Sequence, residues 1–108
     1  MELNDYQKAA LATAIYPNDR TVSYLALAIC GEAGELADKV KKVLRDKDGL
    51  FSEADKQALA LELGDVMWYV ANLSEGLGYP LSDIAQMNIE KIAGRVKRGT
   101  LHGAGDNR

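Results

Sequence analysis

The sequence has little of several residues on which common kinds of site depend. Its 108 residues include one cysteine, Cys30, one histidine, His102, and two prolines. A lone cysteine forms no internal disulfide, which favours a reducing compartment. No serine or cysteine is suitably spaced around His102 for a nucleophilic triad, and no zinc spacing, P-loop or GxGxxG motif is present. The sequence therefore gives no support to triad, zinc or P-loop chemistry.

Long apolar runs and a strong net charge are also missing. No apolar stretch approaches the ~20 residues that a membrane-spanning helix needs. Residues 1–5 are acidic, where a secretory signal would be basic. The net charge of −3 gives no general attraction to nucleic acid or to acidic membranes. We therefore expect a soluble, cytoplasmic protein that binds neither nucleic acid nor membranes.

The residues that are present follow the pattern of a small helical protein. With 47% apolar residues, a chain of this length should form one domain over residues 1–108. Helical spacing of the apolar residues predicts an all-α, four-helix, bundle-like fold. The predicted helices run from Asn4 or Asp5 to Tyr16, from Thr21 to Arg45, from Ser52 to 76–78, and for about sixteen residues from Ser82.

The ends of these helices have recognisable signals. Asn4 or Asp5 should cap the first helix, Ser52 the third and Ser82 the fourth. The breaker at 46–49 is interpreted as a turn, so the second and third helices should form an antiparallel hairpin. Residues 98–108 are glycine-rich and have no period, which predicts a flexible tail or a lid over a site.

Two pairs of acids occupy this predicted hairpin. Glu32 and Glu35 lie in one helix and Glu62 and Asp65 in the other, and a spacing of three places both members of a pair on one face. Glu35 and Glu62 should each lie about 15 Å from the turn, at ~1.5 Å per residue. Four carboxylates at one height repel one another unless a cation joins them, and a hard divalent ion prefers oxygen ligands. The spacing therefore predicts a metal site.

A solvated helix surface is the simpler interpretation of such acids. The neighbouring residues on both helices are apolar, which argues against it. Gly31, Gly34 and Gly64 argue against it too, because glycine inside a helix costs about 1 kcal/mol relative to alanine. They indicate the close approach of a ligand or of another helix. Four cations near the end of the second helix are interpreted as a solvated face that complements the helix dipole: Lys39, Lys41, Lys42 and Arg45.

Two further groups are candidates for ligand contacts. A polar stripe on the fourth helix is either a solvated face or a binding surface for an anion such as phosphate. Trp68 and Tyr69 are either ordinary core or interface aromatics or a surface on which a planar ring stacks. The stripe consists of Asn88, Lys91, Arg95 and Arg98.

These residues together resemble a known family. Glu32-x-x-Glu35, 26 further residues and Glu62-x-x-Asp65 resemble the metal motif of the MazG-like nucleotide pyrophosphohydrolases, in the all-α nucleoside triphosphate pyrophosphatase superfamily. The match extends over 31–36 and 64–69. Asn88-x-x-Lys91-x-x-x-Arg95 is similar to the family's fourth-helix pattern, and the resemblance covers roughly residues 3 to 108.

The resemblance implies an enzyme that hydrolyses nucleoside triphosphates, NTP or dNTP, between the α and β phosphates. Magnesium, which manganese can replace, would be held by the catalytic acids Glu32, Glu35, Glu62 and Asp65. Lys91 and Arg95 would contact phosphates and stabilise the charge on the leaving pyrophosphate, while Asn88 would help to position the nucleotide. Glu32 and Glu35 both remain candidates for accepting the proton of the attacking water.

The resemblance also implies dimers or dimers of dimers, with sites completed across subunits. Apolar residues on more than one side of the second and third helices favour a homodimer or homotetramer as well. One departure is Gly31, where some relatives, notably the dimeric dUTPases, have a further glutamate. This departure counts against a dUTPase-type site with its full complement of metal ligands. The base is the least transferable part of the resemblance, so the preferred base stays open. The alternative from another class is a non-catalytic helical dimerisation or adaptor module, in which the acids are surface and the cations bind a partner.

Overall fold

Four helices account for most of the chain. The computed structural model describes residues 1–108, except for the side chain of Asn18. The helices are α1 (Leu3–Ala12), α2 (Thr21–Asp46), α3 (Glu53–Gly76) and α4 (Leu81–Arg98), and a single 3₁₀ turn at Asn18–Arg20 precedes α2. The described residues contain no β-strand. The all-α, four-helix prediction is confirmed.

The α2–α3 hairpin is the dominant packing unit, since these two helices share the most extensive interhelical contact. Two successive residues of the intervening turn, Asp48 and Gly49, have positive φ angles of 53° and 75°. This left-handed backbone lets the Gly49 amide donate to the Val43 carbonyl and close the end of α2. Ser52 then caps α3 in a reciprocal capping box with Asp55. The predicted turn and the Ser52 cap are both confirmed.

The first helix is shorter than its sequence pattern predicts, and its expected cap is wrong. It ends at Ala12 instead of Tyr16, and the residue at the N-cap position is Glu2. The Thr13 hydroxyl donates to the Ala10 carbonyl and accepts from the Trp68 indole. Pro17 also disfavours helical backbone at the residue before it. Tyr16 therefore leaves the helix, and its hydroxyl donates to Asn72 on α3.

The start of α4 also differs from the expectation, because Ser82 lies inside the helix and Pro80 is at the N-cap. The free amides of the first turn are satisfied by side chains of α1. The Leu81 amide donates to Gln7 Oε1 at 2.7 Å, and the Ser82 amide donates to Asn4 Oδ1 at 2.9 Å. Asn4 is thus a capping residue, but for α4 instead of α1.

The core is small for a chain of this length. A cluster of Ala10, Ala71 and Leu81 joins α1, α3 and α4, and Leu25 is fully buried on α2. The radius of gyration is 16.7 Å, whereas a compact domain of this size has about 13 Å. No helix among the described residues is long and apolar enough to cross a membrane. The single chain therefore leaves much apolar surface uncovered.

Candidate metal centre and substrate site

Three of the four predicted acids converge between α2 and α3. One carboxylate oxygen from each of Glu32, Glu35 and Glu62 lies within 4.8 Å of the other two. The hairpin turn sets this alignment, because it places the two acid pairs at the same height on antiparallel helices. Asp65 is exposed and lies outside this set of three.

Glu62 is the innermost member of the cluster, with its side chain only 12% exposed. Its Oε1 accepts an ion-paired hydrogen bond from Lys39 Nζ at 2.7 Å. Its other oxygen, Oε2, is buried without a hydrogen-bond partner in the described structure. An unpartnered buried carboxylate oxygen is costly, and a cation is the kind of group that would satisfy it.

The electric field of the cluster extends to its neighbours. Burial raises the pKa of Glu32, and the charges of Glu35, Asp65 and Glu62 raise it further. The hydrogen bond to Glu62 raises the pKa of Lys39. Asp65 is therefore close enough to act electrostatically on Glu32, although it is not one of the three converging acids.

Lys39 belongs to the site as well as to the basic face on which the sequence pattern places it. It was expected on a solvated basic face, but it ion-pairs with Glu62 and is only partly exposed. Its position one turn after Glu35 is a signal that could have identified it, since residues four apart share a helix face. Lys41 and Lys42 do fit the expectation, because both pair with Asp38 at the surface.

Aromatic side chains lie beside the acids. Burial raises the pKa of Tyr69, and the nearby Tyr24, Glu32 and Asp65 raise it further. The Trp68 ring meets the Tyr69 ring edge-on, with 5.0 Å between the ring centroids. The indole N–H of Trp68 donates to the Thr13 hydroxyl. Trp68 thus helps to join α1 to α3, while Tyr69 is within electrostatic reach of the cluster.

Two further tyrosines, Tyr16 and Tyr24, lie next to Trp68 and Tyr69. No sequence pattern indicates that they belong to this aromatic group. The rings of Tyr16 and Tyr24 stack at 5.9 Å with 24° between their planes. Tyr16 also meets Trp68 edge-on. The four rings come from the α1–α2 connection, α2 and α3, so only the tertiary structure brings them together.

The predicted phosphate-binding residues of α4 lie apart from the acids. This helix packs against α1 and α3 but does not contact α2. Asn88 and Lys91 are exposed, whereas Arg95 is buried, with 6% of its surface exposed. Among the described hydrogen bonds and ion pairs, none joins this stripe to the acid cluster. Its cations instead contact residues 99–108.

Those residues fold back along α4. The chain reverses at Gly99, whose φ of 71° suits glycine, and the Thr100 amide donates to the Arg95 carbonyl. Asp106 Oδ1 then accepts from Arg95 Nη2 at 3.1 Å and from Lys91 Nζ at 3.4 Å. The segment therefore covers the candidate phosphate-binding cations and not the acids.

Comparison with known proteins identifies the family. The sequence model described as the MazG nucleotide pyrophosphohydrolase domain matches residues 20–100. This chain belongs to that family. The matched region contains the acid cluster and the α4 stripe, so the resemblance and its all-α fold are confirmed.

One relative of the MazG-family chain is similar over its whole length. It is 47% identical over 114 aligned positions that cover all of both chains, and it is named Gene 37 protein, from Mycobacterium phage L5. That name describes no activity. No solved structure matches this chain. Membership of the family supports nucleotide pyrophosphohydrolase activity as a class. It does not identify the nucleotide that is hydrolysed.

Proposed function

We propose that this protein hydrolyses nucleoside triphosphates, NTP or dNTP, between the α and β phosphates, giving nucleoside monophosphate and pyrophosphate. The observation that carries the proposal is the convergence of Glu32, Glu35 and Glu62, whose carboxylate oxygens lie within 4.8 Å of one another. Family membership supports the same class of reaction.

The donor set fits a hard divalent cation. Three carboxylates offer only oxygen ligands, and the buried Glu62 Oε2 has no other partner among the described residues. We propose that these acids hold magnesium, which manganese can replace, and that Asp65 joins them from one turn further along α3. When bound, the ion would neutralise phosphate charge and make a coordinated water more acidic.

The remaining roles belong to the chain's own groups. Either Glu32 or Glu35 accepts the proton of the attacking water, since both carboxylates lie in the cluster. Lys91 and Arg95 stabilise the negative charge that develops on the leaving pyrophosphate. Asn88 positions the nucleotide, and Tyr69 or Trp68 stacks on the base.

The site would be completed by a second copy of the chain. Among the described hydrogen bonds and ion pairs, the α4 cations contact only residues 105–108, and none reaches the acids. Apolar side chains beside the acids are exposed, including Leu27 at 74% and Leu61 at 68%. A Cβ added at Gly31, Gly34 or Gly64 would meet nothing within 4 Å, so another helix can approach closely there. We therefore propose a homodimer or a tetramer of two dimers, and a monomer by light scattering at micromolar concentration would contradict it.

Product analysis tests the reaction directly. The protein is incubated with magnesium and a panel of common and damaged nucleoside triphosphates, and the products are separated by ion-exchange chromatography. Monophosphate and pyrophosphate are expected together from the first time points. Diphosphate and orthophosphate as initial products would contradict the proposed bond. No turnover of any nucleotide would favour the non-catalytic dimerisation or adaptor module.

A further inference from the structure

The contact between Asp106 and α4 has a direct chemical meaning. A carboxylate oxygen of Asp106 lies 3.1 Å from Arg95 Nη2 and 3.4 Å from Lys91 Nζ. Carboxylate and phosphate oxygens accept the same charge-assisted hydrogen bonds from guanidinium and ammonium groups. The tail therefore places its own anion where the proposed function puts a phosphate.

We propose that residues 99–108 form an autoinhibitory strap, in which Asp106 occupies the α4 anion site until a polyphosphate displaces it. This inference rests on the proposed function for the identity of the natural ligand, a nucleoside triphosphate. The anion site itself can be tested without any hydrolysis.

Arg95 shows that the site is closed in this conformation. Its side chain is 8% exposed, and Nη2 is shared among the Asp106 carboxylate and the backbone carbonyls of Gly105 and Asp106. Its Nε is buried and has no hydrogen-bond partner in the described structure. An entering phosphate could use this unpaired donor as well as those that the tail now holds.

The strap is held by contacts that a multivalent anion can overcome. The Asp106 side chain is 83% exposed and Lys91 is 42% exposed, so the ion pair between them is weak, whereas Arg95 is only 8% exposed. A triphosphate carries several negative charges, whereas the strap presents one side-chain carboxylate to the pair of cations.

Arg108 fastens the strap at a separate point. Its guanidinium donates to the carbonyls of Thr100 and Leu101, each at 2.8 Å, and also to the Gly105 carbonyl. These contacts fold residues 100–105 into a compact loop. Loosening them should open the anion site without altering Lys91 or Arg95.

Tripolyphosphate binding to the metal-free, full-length protein tests the strap. In the presence of a chelator, calorimetry compares the wild type with Asp106→Asn, and Asp48→Asn serves as the control for net charge. Asp48 is exposed in the α2–α3 turn, and asparagine tolerates its positive φ. Asp106→Asn and Arg108→Ala should each bind about two- to fivefold more tightly than wild type, as expected for release of a weak ion pair.

Three results would contradict the proposal that residues 99–108 are an autoinhibitory strap. They are equal affinities for Asp106→Asn and Asp48→Asn, weaker binding by both tail variants, or no binding by any variant. Hydrogen exchange gives a second readout, since tripolyphosphate should speed exchange at residues 99–108 of the wild type while chloride at equal ionic strength does not. Unchanged exchange would also count against displacement. Failure of the hydrolysis assay with normal tripolyphosphate results would reject the proposed function alone.

Discussion

The α2–α3 hairpin and the α1–α4 half of the molecule are built by different kinds of interaction. The hairpin is defined locally by a turn with two positive φ angles and by the Ser52–Asp55 capping box. The start of α4 is defined by hydrogen bonds that its first amides donate to Gln7 and Asn4, more than seventy residues away in the sequence. The proposed metal ligands lie on the local structure, while the candidate phosphate-binding cations lie on the helix that depends on distant contacts.

Because the two parts of the proposed site depend on different interactions, each can be perturbed independently. A change in the hairpin acids should affect metal-dependent chemistry without unfolding the chain. A change at the α1–α4 contact should affect stability and leave the acid cluster intact.

The largest effect is expected from Glu62→Gln, which is nearly isosteric but removes the innermost carboxylate charge. Metal-dependent hydrolysis should fall by about 100-fold or more, since even changes next to metal ligands cost 10–100-fold. Circular dichroism should show unchanged helix content, because the change relieves repulsion among the acids while it weakens the single ion pair with Lys39. Glu53→Gln is the control, because Glu53 is exposed at the start of the same helix. Full turnover by Glu62→Gln at limiting magnesium would mean that the acids were assigned wrongly.

Asp65→Asn sharpens the comparison within the hairpin itself. Asp65 lies outside the converging set but acts electrostatically on Glu32. We expect this variant to need more magnesium for half-maximal rate, with a smaller loss at saturating magnesium than Glu62→Gln shows. Rates measured over a magnesium series give both quantities. A magnesium dependence identical to that of the wild type would exclude Asp65 as a ligand.

Gln7→Leu should destabilise the contact between α1 and α4. Gln7 is buried and accepts from the Leu81 amide at 2.7 Å, so leucine would leave that amide unsatisfied. The free energy of unfolding should fall by about 1–3 kcal/mol, measured by urea denaturation. Lys8→Leu, one residue along on the exposed side, should change it by less than about 0.5 kcal/mol. Equal losses for both variants would contradict the role given to Gln7.

Two serines compare the helix starts directly. Ser52→Ala removes a capping hydroxyl and should cost about 1 kcal/mol of unfolding free energy. Ser82→Ala should cost less than about 0.5 kcal/mol, because Ser82 lies inside α4 and the first-turn amides have partners on α1. Urea denaturation of both variants provides the test. A larger loss at Ser82 would restore the capping role that its sequence position suggested.

The smallest expected effect is a pH dependence of the stability that Asp55 contributes in the hairpin. The hydrogen bond from Lys47, followed by those from Ser52, lowers the pKa of Asp55 from 3.8 to about 2. A lowered folded-state pKa gives stability that is present above pH 3.8 and lost as the pH falls towards 2. Thermal midpoints of the wild type and Asp55→Asn should therefore converge over that window, while a difference independent of pH would contradict the assignment.

The sequence predicts the α2–α3 hairpin better than it predicts the α1–α4 half. The hairpin, its turn, the Ser52 cap and the meeting of Glu32, Glu35 and Glu62 depend on spacing and on local backbone rules, so the pattern indicated them. The end of α1 could not be predicted in this way, because Thr13 and Tyr16 respond to partners on α3. The role of Asn4 could not be predicted either, because its side-chain oxygen Oδ1 caps a helix that starts 77 residues later.

The contacts of charged side chains were the hardest to predict. Lys39 and Lys42 look alike in the sequence, yet one pairs with Glu62 across the hairpin and the other with Asp38 on its own helix. Asp106 carries no pattern at all, because its partners are reached only after the chain reverses at Gly99. The pairs of Lys39 and Asp106 depend on which segments face each other, whereas the Lys42–Asp38 pair is local to α2.

Manganese binding tests the central assignment most directly. Electron paramagnetic resonance measures free Mn²⁺ as it is titrated into the wild type, Glu62→Gln and the Glu53→Gln control, with no nucleotide present. The wild type and Glu53→Gln should bind with the same affinity, and Glu62→Gln should bind at least about tenfold more weakly. Equal binding by all three proteins, or none by the wild type, would contradict the assignment of Glu32, Glu35 and Glu62 as a metal centre.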